Sequence, residues 1–327
     1  MATAEQLKAL LKSHVQGDES HFYAVAMQMA ADEARQGHSK IAHELRALID
    51  EAKKRSRPIE PPRSPILIAQ PRGELSGLLS VSYPKLRLAD MILDKQVYDR
   101  LHRLIKEQRT VERIRSFGLR PRRKLLFLGP PGTGKTMSAG VIAGELSLPL
   151  FIVRLDNLIT KYMGETSAKL RLIFDSIAQA RGVYLFDEFD SIGSKRTASN
   201  DVGEIRRVLN SFLQFIEQDA SDSLILAATN HPDLLDHALF RRFDDVITYG
   251  IPDRPYLMKL LQTRLATMRK ASVNWKQLAK LAEGLSHADI TRACDEAIKD
   301  VIIHGRTTLK TKDVILPLTE RKAIPVG

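Results

Sequence analysis

The chain has 327 residues, and its composition of 43% hydrophobic and 27% charged residues is that of a globular protein, which excludes disorder over most of its length. Its single cysteine excludes an intramolecular disulfide and a structural zinc site made of cysteines. Because no N-terminal targeting pattern and no apolar run near the roughly 20 residues that cross a bilayer are evident, we expect a cytoplasmic protein without a membrane span.

The net charge of +11 is unevenly distributed along the chain. Residues 58–124 contain 15 Lys and Arg against 7 Asp and Glu, whereas residues 125–255 contain 13 against 17. A basic segment attracts nucleic acid or an acidic protein, but a basic face that contacts only solvent has the same composition. On charge alone, nucleic acid is therefore the less favoured partner.

The N-terminal residues 1–57 have the pattern of a small helical domain. Apolar residues recur at helical spacing in three stretches between residues 3 and 55, and a glycine separates each stretch from the next. Five prolines follow between residues 58 and 71, where missing amide donors favour an extended chain. We therefore predict a helical partner-binding domain over 1–57 and a proline-rich linker over 58–85.

From residue 86 the pattern changes to alternating helices and strands. A helical pattern runs from Val97 to Gly118, and short apolar strands separated by helical segments follow it. The predicted strands cover residues 125–128, 150–153, 183–186, 224–227 and 246–249. Such alternation is typical of a parallel sheet covered on both faces, so we predict an α/β fold, an αβα sandwich over 86–254. The pattern after residue 255 predicts an all-helical lid over 255–327.

The strongest motif joins the first of these strands to the helix that follows. The segment reads Gly129, Pro130, Pro131, Gly132, Thr133, Gly134, Lys135 and Thr136, which is the phosphate-loop pattern. Glycines let backbone N–H groups curl around phosphate, the lysine neutralises the β and γ oxygens, and the threonine hydroxyl ligates Mg²⁺. With Met137 at the helix start, the segment predicts a site for ATP and Mg²⁺ in a P-loop NTPase fold.

Two acidic residues stand where such a site needs them. Asp187 and Glu188 directly follow the predicted strand 183–186, and open α/β sheets bind ligands at the carboxyl ends of their strands. We expect Asp187 to hold Mg²⁺ through water, and Glu188 to orient and polarise the water that attacks the γ-phosphate. Asp190 has the position of a structural residue or a subunit contact.

With these motifs the chain resembles the AAA+ ATPases, and among them the AAA clade of ring-forming protein remodellers, over about residues 86–316. The resemblance includes Asn230 at a strand end and the segment 235–244. It implies that Asn230 bonds the attacking water or the γ-phosphate, and that Arg241 and Arg242 are fingers that reach the ATP of the neighbouring subunit. An arginine in trans makes hydrolysis depend on assembly. We therefore expect a homo-oligomer, a hexameric ring assembled with ATP.

The lid segment 284–290 is similar to the clade's Gly-Phe-Ser-Gly-Ala-Asp-Leu sequence, with His287 in place of the glycine between serine and alanine. The resemblance implies that this segment, including Ala288, packs near adenine and ribose. The clade's Asp-Ile-Gly-Gly segment is replaced by a sequence that contains Met91 and Ile92, which we assign to the adenine. No sensor 2 arginine is evident, as is normal for this clade.

A loop between the two nucleotide motifs resembles the first pore loop of polypeptide-threading rings. It contains Tyr162, Met163 and Gly164. An aromatic residue followed by an apolar residue and a glycine makes a mobile tip that grips any chain without reading its sequence. A second, polar loop near residues 196–204 is a further candidate for the channel lining. Protein is therefore the expected substrate, with packing of Tyr162 into its own domain as the alternative.

Three functional hypotheses stay open on the sequence. The first is a ring motor that remodels, unfolds or threads protein. The second is an ATP-dependent switch that regulates a partner enzyme, because the chain looks like small bacterial stand-alone AAA ATPases that lie beside a subtilisin-like serine protease. The third is a nucleic-acid motor or loader. The N-terminal helices are also compatible with a microtubule-interacting-and-trafficking-type bundle.

Overall fold

The computed structural model describes residues 19–35, 38–55, 71, 73–158, 163–189, 201–234 and 237–323. The chain divides into two compact units, Met1–Ser64 and Pro65–Gly327. Within the described ranges, no helix has the length and the apolar character needed to cross a membrane.

The N-terminal unit contains two helices in its described part, α1 (Glu19–Arg35) and α2 (Ser39–Arg55), which pack against each other. Among their described side chains, Ala30, Ala42 and Ile49 are the buried apolar ones. Both helices agree with the helical spacing of the sequence. The first of the three predicted helices lies outside the described residues.

The larger unit alternates helices and strands around one sheet. Its elements, in chain order, are α3 (Leu75–Leu78), β1 (Leu79–Ser82), α4 (Lys95–Arg109), α5 (Val111–Ser116), β2 (Lys124–Leu128), α6 (Lys135–Leu146), β3 (Leu150–Val153), α7 (Leu155–Leu158), α8 (Met163–Gln179), β4 (Val183–Phe186), α9 (Asp201–Gln218), β5 (Leu224–Thr229), α10 (His237–Phe240) and β6 (Asp245–Thr248). The strands lie in the order β1-β3-β4-β5-β2-β6. Strand β1 is antiparallel to β3, and all other neighbours are parallel. The predicted α/β fold with a mostly parallel sheet is confirmed.

Helices cover both faces of this sheet, which explains why the strands are continuous apolar runs. Successive residues of a strand point to opposite faces, so Leu126 belongs to one apolar cluster and Leu125 to the other. Helices α8 and α9 complete the first cluster, for example with Phe212, and α4 and α6 complete the second, for example with Leu104 and Ile142. The buried strands hold the loops at their carboxyl ends in fixed positions.

The structure corrects the predicted linker over 58–85 at its C-terminal end. Residues 75–82 form α3 and β1, and Leu78 and Leu79 are buried in the core. A strand of 4 residues is too short to show a periodic pattern, and it is stabilised by pairing with β3, a contact that the local sequence does not reveal. Most of the proline-rich part, 58–70, lies outside the described residues.

The C-terminal part of the larger unit is mainly helical. Its elements are α11 (Arg254–Arg264), β7 (Arg269–Ser272), α12 (Trp275–Leu281), α13 (His287–Ile303), β8 (Thr308–Lys310) and α14 (Thr311–Ala323). The expectation of an all-helical lid is corrected by the parallel pair of β7 and β8, whose 4 and 3 residues are too few for a sequence pattern. The helices bury their own apolar cluster, which includes Cys294. Burial raises the pKa of this thiol to about 12, so it is protonated at neutral pH.

Candidate nucleotide-binding site

The predicted phosphate loop, residues 129–134, connects the end of β2 to the start of α6. Gly129 and Gly132 have φ angles of 140° and 73°, which glycine adopts without strain. A Cβ atom on Gly132 would lie 2.5 Å from Ser286 Oγ, and one on Gly129 would overlap the backbone oxygen of Tyr249. Both positions therefore require glycine, and the helix N-terminus that follows them carries partial positive charge.

The side chain of Lys135 folds back over this loop. Its Nζ donates to the carbonyl oxygens of Gly129 and Pro130, at 2.7 and 2.8 Å, and to Asn230 Oδ1 at 2.7 Å. Asn230 directly follows β5, which is the neighbour of β2 in the sheet. The strand order therefore brings into contact two predicted site residues that are 95 positions apart.

Thr136 and Asp187 are brought together in the same way. Thr136 Oγ1 donates to Asp187 Oδ2 at 2.6 Å. Hydroxyl and carboxylate oxygens are ligands that Mg²⁺ takes at nucleotide sites, so this pair fits the predicted ion. No cluster of 3 or more His, Cys, Asp or Glu side chains that could hold a metal occurs in the described part of the chain. A Mg²⁺ ion at this pair would take its further ligands from nucleotide and water.

Glu188 has an uncommon backbone conformation. Its φ is 51°, in the left-handed region that residues other than glycine rarely adopt. Two bonds hold the turn: Glu188 N donates to Asp187 Oδ1 at 3.0 Å, and Phe189 N donates to Ala228 O at 2.9 Å. Strained residues of this kind concentrate at functional sites. The turn leaves the Glu188 side chain exposed at the carboxyl edge of the sheet.

The two predicted arginine fingers differ in their surroundings. Arg241 is exposed and forms no ion pair with a described residue. Arg242 is partly buried, and its Nε lies 2.8 Å from Oε1 of Glu217, near the end of α9. The Arg242 backbone N–H also donates to Leu239 O at 3.1 Å. Arg242 is therefore bound within its own chain, whereas the guanidinium of Arg241 points to solvent.

The predicted adenine contacts lie beside the phosphate loop. Met91 is buried, and a Cβ atom on Gly134 would lie 3.2 Å from Met91 Cε. Ala288 N donates to the carbonyl oxygen of Gly132 at 3.0 Å, so the first turn of α13 contacts the loop. Ile92 packs against the apolar cluster of the C-terminal helices. Met91 and Ala288 therefore approach the loop from two different segments.

Two residues that enclose the loop were not predicted from the sequence. Ser286 is the N-cap of α13, and its Oγ accepts from Asp289 N at 3.2 Å. A serine followed three positions later by an acid is a helix-capping pattern, so the sequence does carry this signal. Tyr249, which confines Gly129, belongs to no motif. Met137, which we grouped with the binding residues, packs against the apolar cluster shared with α4 and α6.

The predicted pore loop falls at the edge of a described range. Tyr162 lies outside the described residues, and Met163 and Gly164 are the first residues of α8. Of the second candidate loop, residues 196–200 are likewise outside the described ranges, and 201–204 begin α9. The role of both loops stays a prediction.

Comparison with known proteins places the chain in a family. The family model described as "ATPase family associated with various cellular activities (AAA)" matches residues 125–251. The uncharacterized AAA family ATPase y4kL of Sinorhizobium fredii is 36% identical over 313 residues, which are 96% of this chain and 93% of that protein. The proteasome-activating nucleotidase of Methanococcus vannielii is 35% identical over 222 residues, 64% of this chain and 54% of that protein.

A third relative is the ATP-dependent zinc metalloprotease FtsH of Helicobacter felis, which is 30% identical over 248 residues, 73% of this chain and 38% of that protein. The chain thus spans about half of the nucleotidase and a smaller part of the metalloprotease, but nearly the whole rhizobial protein. Because the match has this extent and identity, and because the chain has a phosphate loop between a strand and a helix, the chain belongs to the AAA family and is an ATPase.

Proposed function

We propose that this ATPase is the motor of a homo-oligomeric, hexameric ring that unfolds or remodels a protein substrate. The observation that carries the proposal is the hydrogen bonding of Lys135 to Asn230 and of the adjacent Thr136 to Asp187 at one edge of the sheet. Two relatives are named as a proteasome-activating nucleotidase and an ATP-dependent metalloprotease. These names connect nucleotide use with protein breakdown, which supports a polypeptide as the load.

In this proposal the loop residues 129–134 hold the triphosphate with their backbone N–H groups. Lys135, which already donates to oxygen atoms of Gly129, Pro130 and Asn230 at the loop, would bind the more strongly accepting β and γ phosphate oxygens. Thr136 and Asp187 would hold Mg²⁺, which supplies positive charge against the triphosphate. Met91, Ile92 and Ala288 would lie against the nucleoside.

The hydrolytic step is assigned to residues at two neighbouring strand ends. Glu188 would orient and polarise the attacking water, and its accessible carboxylate supports this role. Asn230 would hold the water or the γ-phosphate, and its hydrogen bond with Lys135 supports this role. Arg241 and Arg242 would act on the ATP bound by the neighbouring chain.

Tyr162→Ala should keep much of the ATPase activity and lose substrate remodelling. The residue is far along the chain from the hydrolytic groups, so its loss uncouples the motor from its load. The measurement is ATPase rate beside ATP-dependent unfolding of a protein that the wild type unfolds. Tyr98→Ala, which removes a tyrosine that is 41% exposed on α4, is the matched control. If the Tyr162 variant unfolds the substrate as well as the wild type does, the Tyr162 side chain does not grip substrate and packs within its own domain.

Deletion of residues 1–57 should leave basal ATPase nearly intact and abolish partner capture. The deleted residues contain no predicted catalytic group, and the first helix and strand described in the larger unit, α3 and β1, begin at Leu75 and Leu79. The measurement is ATPase rate together with a pull-down in ATP on the Glu188→Gln background, which should retain partners. A serine protease among the captured proteins would support the switch hypothesis. If the deletion variant loses both ATPase activity and oligomer assembly, the N-terminal helices have a structural role instead.

The basic segment gives little support to a nucleic-acid motor, because several of its arginines form ion pairs with carboxylates of the same chain. Arg122 pairs with Glu107 at 2.9 Å and with Asp245 at 2.8 Å. Further ion pairs join Arg100 to Asp245, Arg103 to Glu107, Arg109 to Glu145, Arg115 to Asp222 and Arg123 to Asp219. A phosphate backbone would have to compete with these carboxylates. ATPase activity that DNA stimulates, and that survives Tyr162→Ala, would reverse this preference.

A further inference from the structure

The finger segment, residues 241–244, connects α10 to β6 and contains Arg241 and Arg242. Helix α10 has only 4 residues, which is too short for its own hydrogen bonds to hold the arginines in place. Phe243 is buried in the apolar core, whereas Arg241 is exposed. One buried ring therefore fixes the inner side of the segment, and further contacts must fix its direction.

Asp244, the last residue of the finger segment, binds the chain where β2 begins. Its Oδ2 accepts from Arg123 N at 2.8 Å and from Lys124 N at 2.9 Å. The Asp244 backbone N–H also donates to Lys124 O at 2.8 Å. The carboxylate of Asp244 therefore supplies two of these three bonds. Because Asp244 is exposed, removing its carboxylate leaves no cavity in the core.

The start of β2 is also bound by the end of α9. Lys124 is buried, and its Nζ donates to the carbonyl oxygen of Ile216 in the last turn of α9. The next residue of that helix, Glu217, pairs with Arg242 at 2.8 Å. The end of α9 therefore contacts both the guanidinium of Arg242 and the start of β2, and Asp244 joins that start to the backbone of the finger segment.

These contacts lie at the opposite end of β2 from the chain's own phosphate loop. The loop follows the carboxyl end of the strand at Leu128, whereas Asp244 binds the amino end. At about 3.3 Å per residue, the 5 residues of β2 separate the two ends by roughly 16 Å. A carboxylate at that distance does not contact nucleotide at its own loop. An effect of Asp244 on hydrolysis must therefore pass through the residues that it holds.

We propose that Asp244 is a positioning residue for the two arginine fingers, and that it controls hydrolysis of the ATP bound by the neighbouring chain. Its side-chain bonds set the direction in which the finger segment leaves the sheet, and so the place where Arg241 and Arg242 meet the triphosphate. A catalytic group displaced by about 1 Å can lose roughly a hundredfold in rate. The inference rests on the proposed function, in which the arginines act across the subunit boundary.

Asp244→Ala should lower kcat of the full-length ATPase by about ten- to a hundredfold and leave calorimetric ADP affinity within about twofold, because the fingers act on the transition state. Asp244→Asn keeps an oxygen that can accept from both backbone N–H groups, so it should retain at least about a third of the wild-type kcat. Wild-type kcat in the alanine variant would overturn the proposal. So would an asparagine variant as slow as the alanine variant.

Asp222→Ala is the matched control. Asp222 is an exposed aspartate at the same edge of the sheet, just before β5, and its carboxylate pairs with Arg115 rather than with the backbone of β2. Its loss should leave kcat unchanged. Thermal melting verifies that all three variants are folded.

Subunit mixing distinguishes positioning of the fingers from damage to the chain's own site. Asp244→Ala chains should recover ATPase activity with Glu188→Gln chains, which supply intact fingers. They should not recover with Arg241→Ala/Arg242→Ala chains, because neither partner then has working fingers. If Asp244 instead supported its own phosphate loop through β2, the two results would be exchanged, and the proposal would be wrong.

Two further results separate this inference from the proposed function. If neither Asp244 variant enters mixed oligomers, measured by sedimentation in ATP and by energy transfer between labelled chains, Asp244 holds the ring together and the proposal is wrong. If Glu188→Gln and Arg241→Ala/Arg242→Ala chains exchange but do not complement each other, the arginines do not act in trans, and the inference fails with that part of the proposed function. When this pair does complement, the two Asp244 mixtures test the positioning role alone.

Discussion

Lys135→Ala should lose most of its nucleotide binding, whereas Glu188→Gln should bind ATP and fail to hydrolyse it. The lysine supplies charge-assisted bonds to phosphate in the bound ground state, so its loss should weaken ATP affinity about a hundredfold. Glutamine keeps the shape of the glutamate but not its basicity. A general base contributes about 10² to 10⁴ in rate, and kcat of the Glu188 variant should fall by that factor with ATP affinity preserved.

The structure sharpens this comparison in two respects. Lys135 also holds the loop through its bonds to Gly129 and Pro130, so thermal melting without nucleotide must show that the alanine variant is folded. Glutamine and glutamate have a similar cost at the positive φ of Glu188, so the second variant tests chemistry rather than the backbone. Lys276→Ala, on the exposed face of α12, is the surface control. Equal calorimetric affinity of the Lys135 variant and the wild type would refute the assignment of the loop.

The Arg241→Ala/Arg242→Ala double variant and the Glu188→Gln variant should each be inactive alone and should recover ATPase activity when mixed. In a head-to-tail ring, each site combines Glu188 of one chain with the arginines of the next. Random mixing of equal amounts makes about a quarter of the interfaces complete by symmetry. Because a finger is worth about 10³ to 10⁵ in rate, even a few complete sites exceed the background of either variant.

The different surroundings of the two arginines make the single variants informative as well. Arg242 is paired with Glu217 in its own chain, so Glu217→Gln is the control for loss of that ion pair alone. Arg113→Ala removes an exposed arginine on α5 and should leave the ATPase unchanged. Subunit exchange is verified independently, for example by energy transfer between labelled chains. If exchange occurs and no mixing ratio restores activity, the arginines act within their own chain or in ring closure.

The amino-acid sequence by itself was sufficient to predict the fold class and the phosphate loop. Five apolar runs predicted five strands of the sheet within two residues of their observed bounds, because buried parallel strands leave a continuous local signature. The spacing from Gly129 to Thr136 predicted the loop for a similar reason. The loop binds phosphate through backbone N–H groups of neighbouring residues, so all the residues that it needs lie in one short segment of the sequence.

Other features were decided only by contacts between distant residues. Strand β1 exists because β3 supplies its hydrogen bonds, so residues assigned to a linker became part of the sheet. The pairing of β2 with β5 brings Asn230 to Lys135, and no local pattern specifies that strand order. The basic segment predicted a charged surface, but its arginines pair with carboxylates such as Asp245, more than a hundred positions away.

His287 shows the same division within a single residue. The sequence reveals that a histidine stands where the resembled clade has glycine, but a residue type does not specify its neighbours. Only the tertiary structure buries both ring nitrogens and leaves them without a hydrogen bond to the described part of the chain. Sequence patterns report local backbone preference and burial, which are short-range properties. Pairing, charge compensation and polar satisfaction depend on which distant segments meet, and only the folded chain determines that.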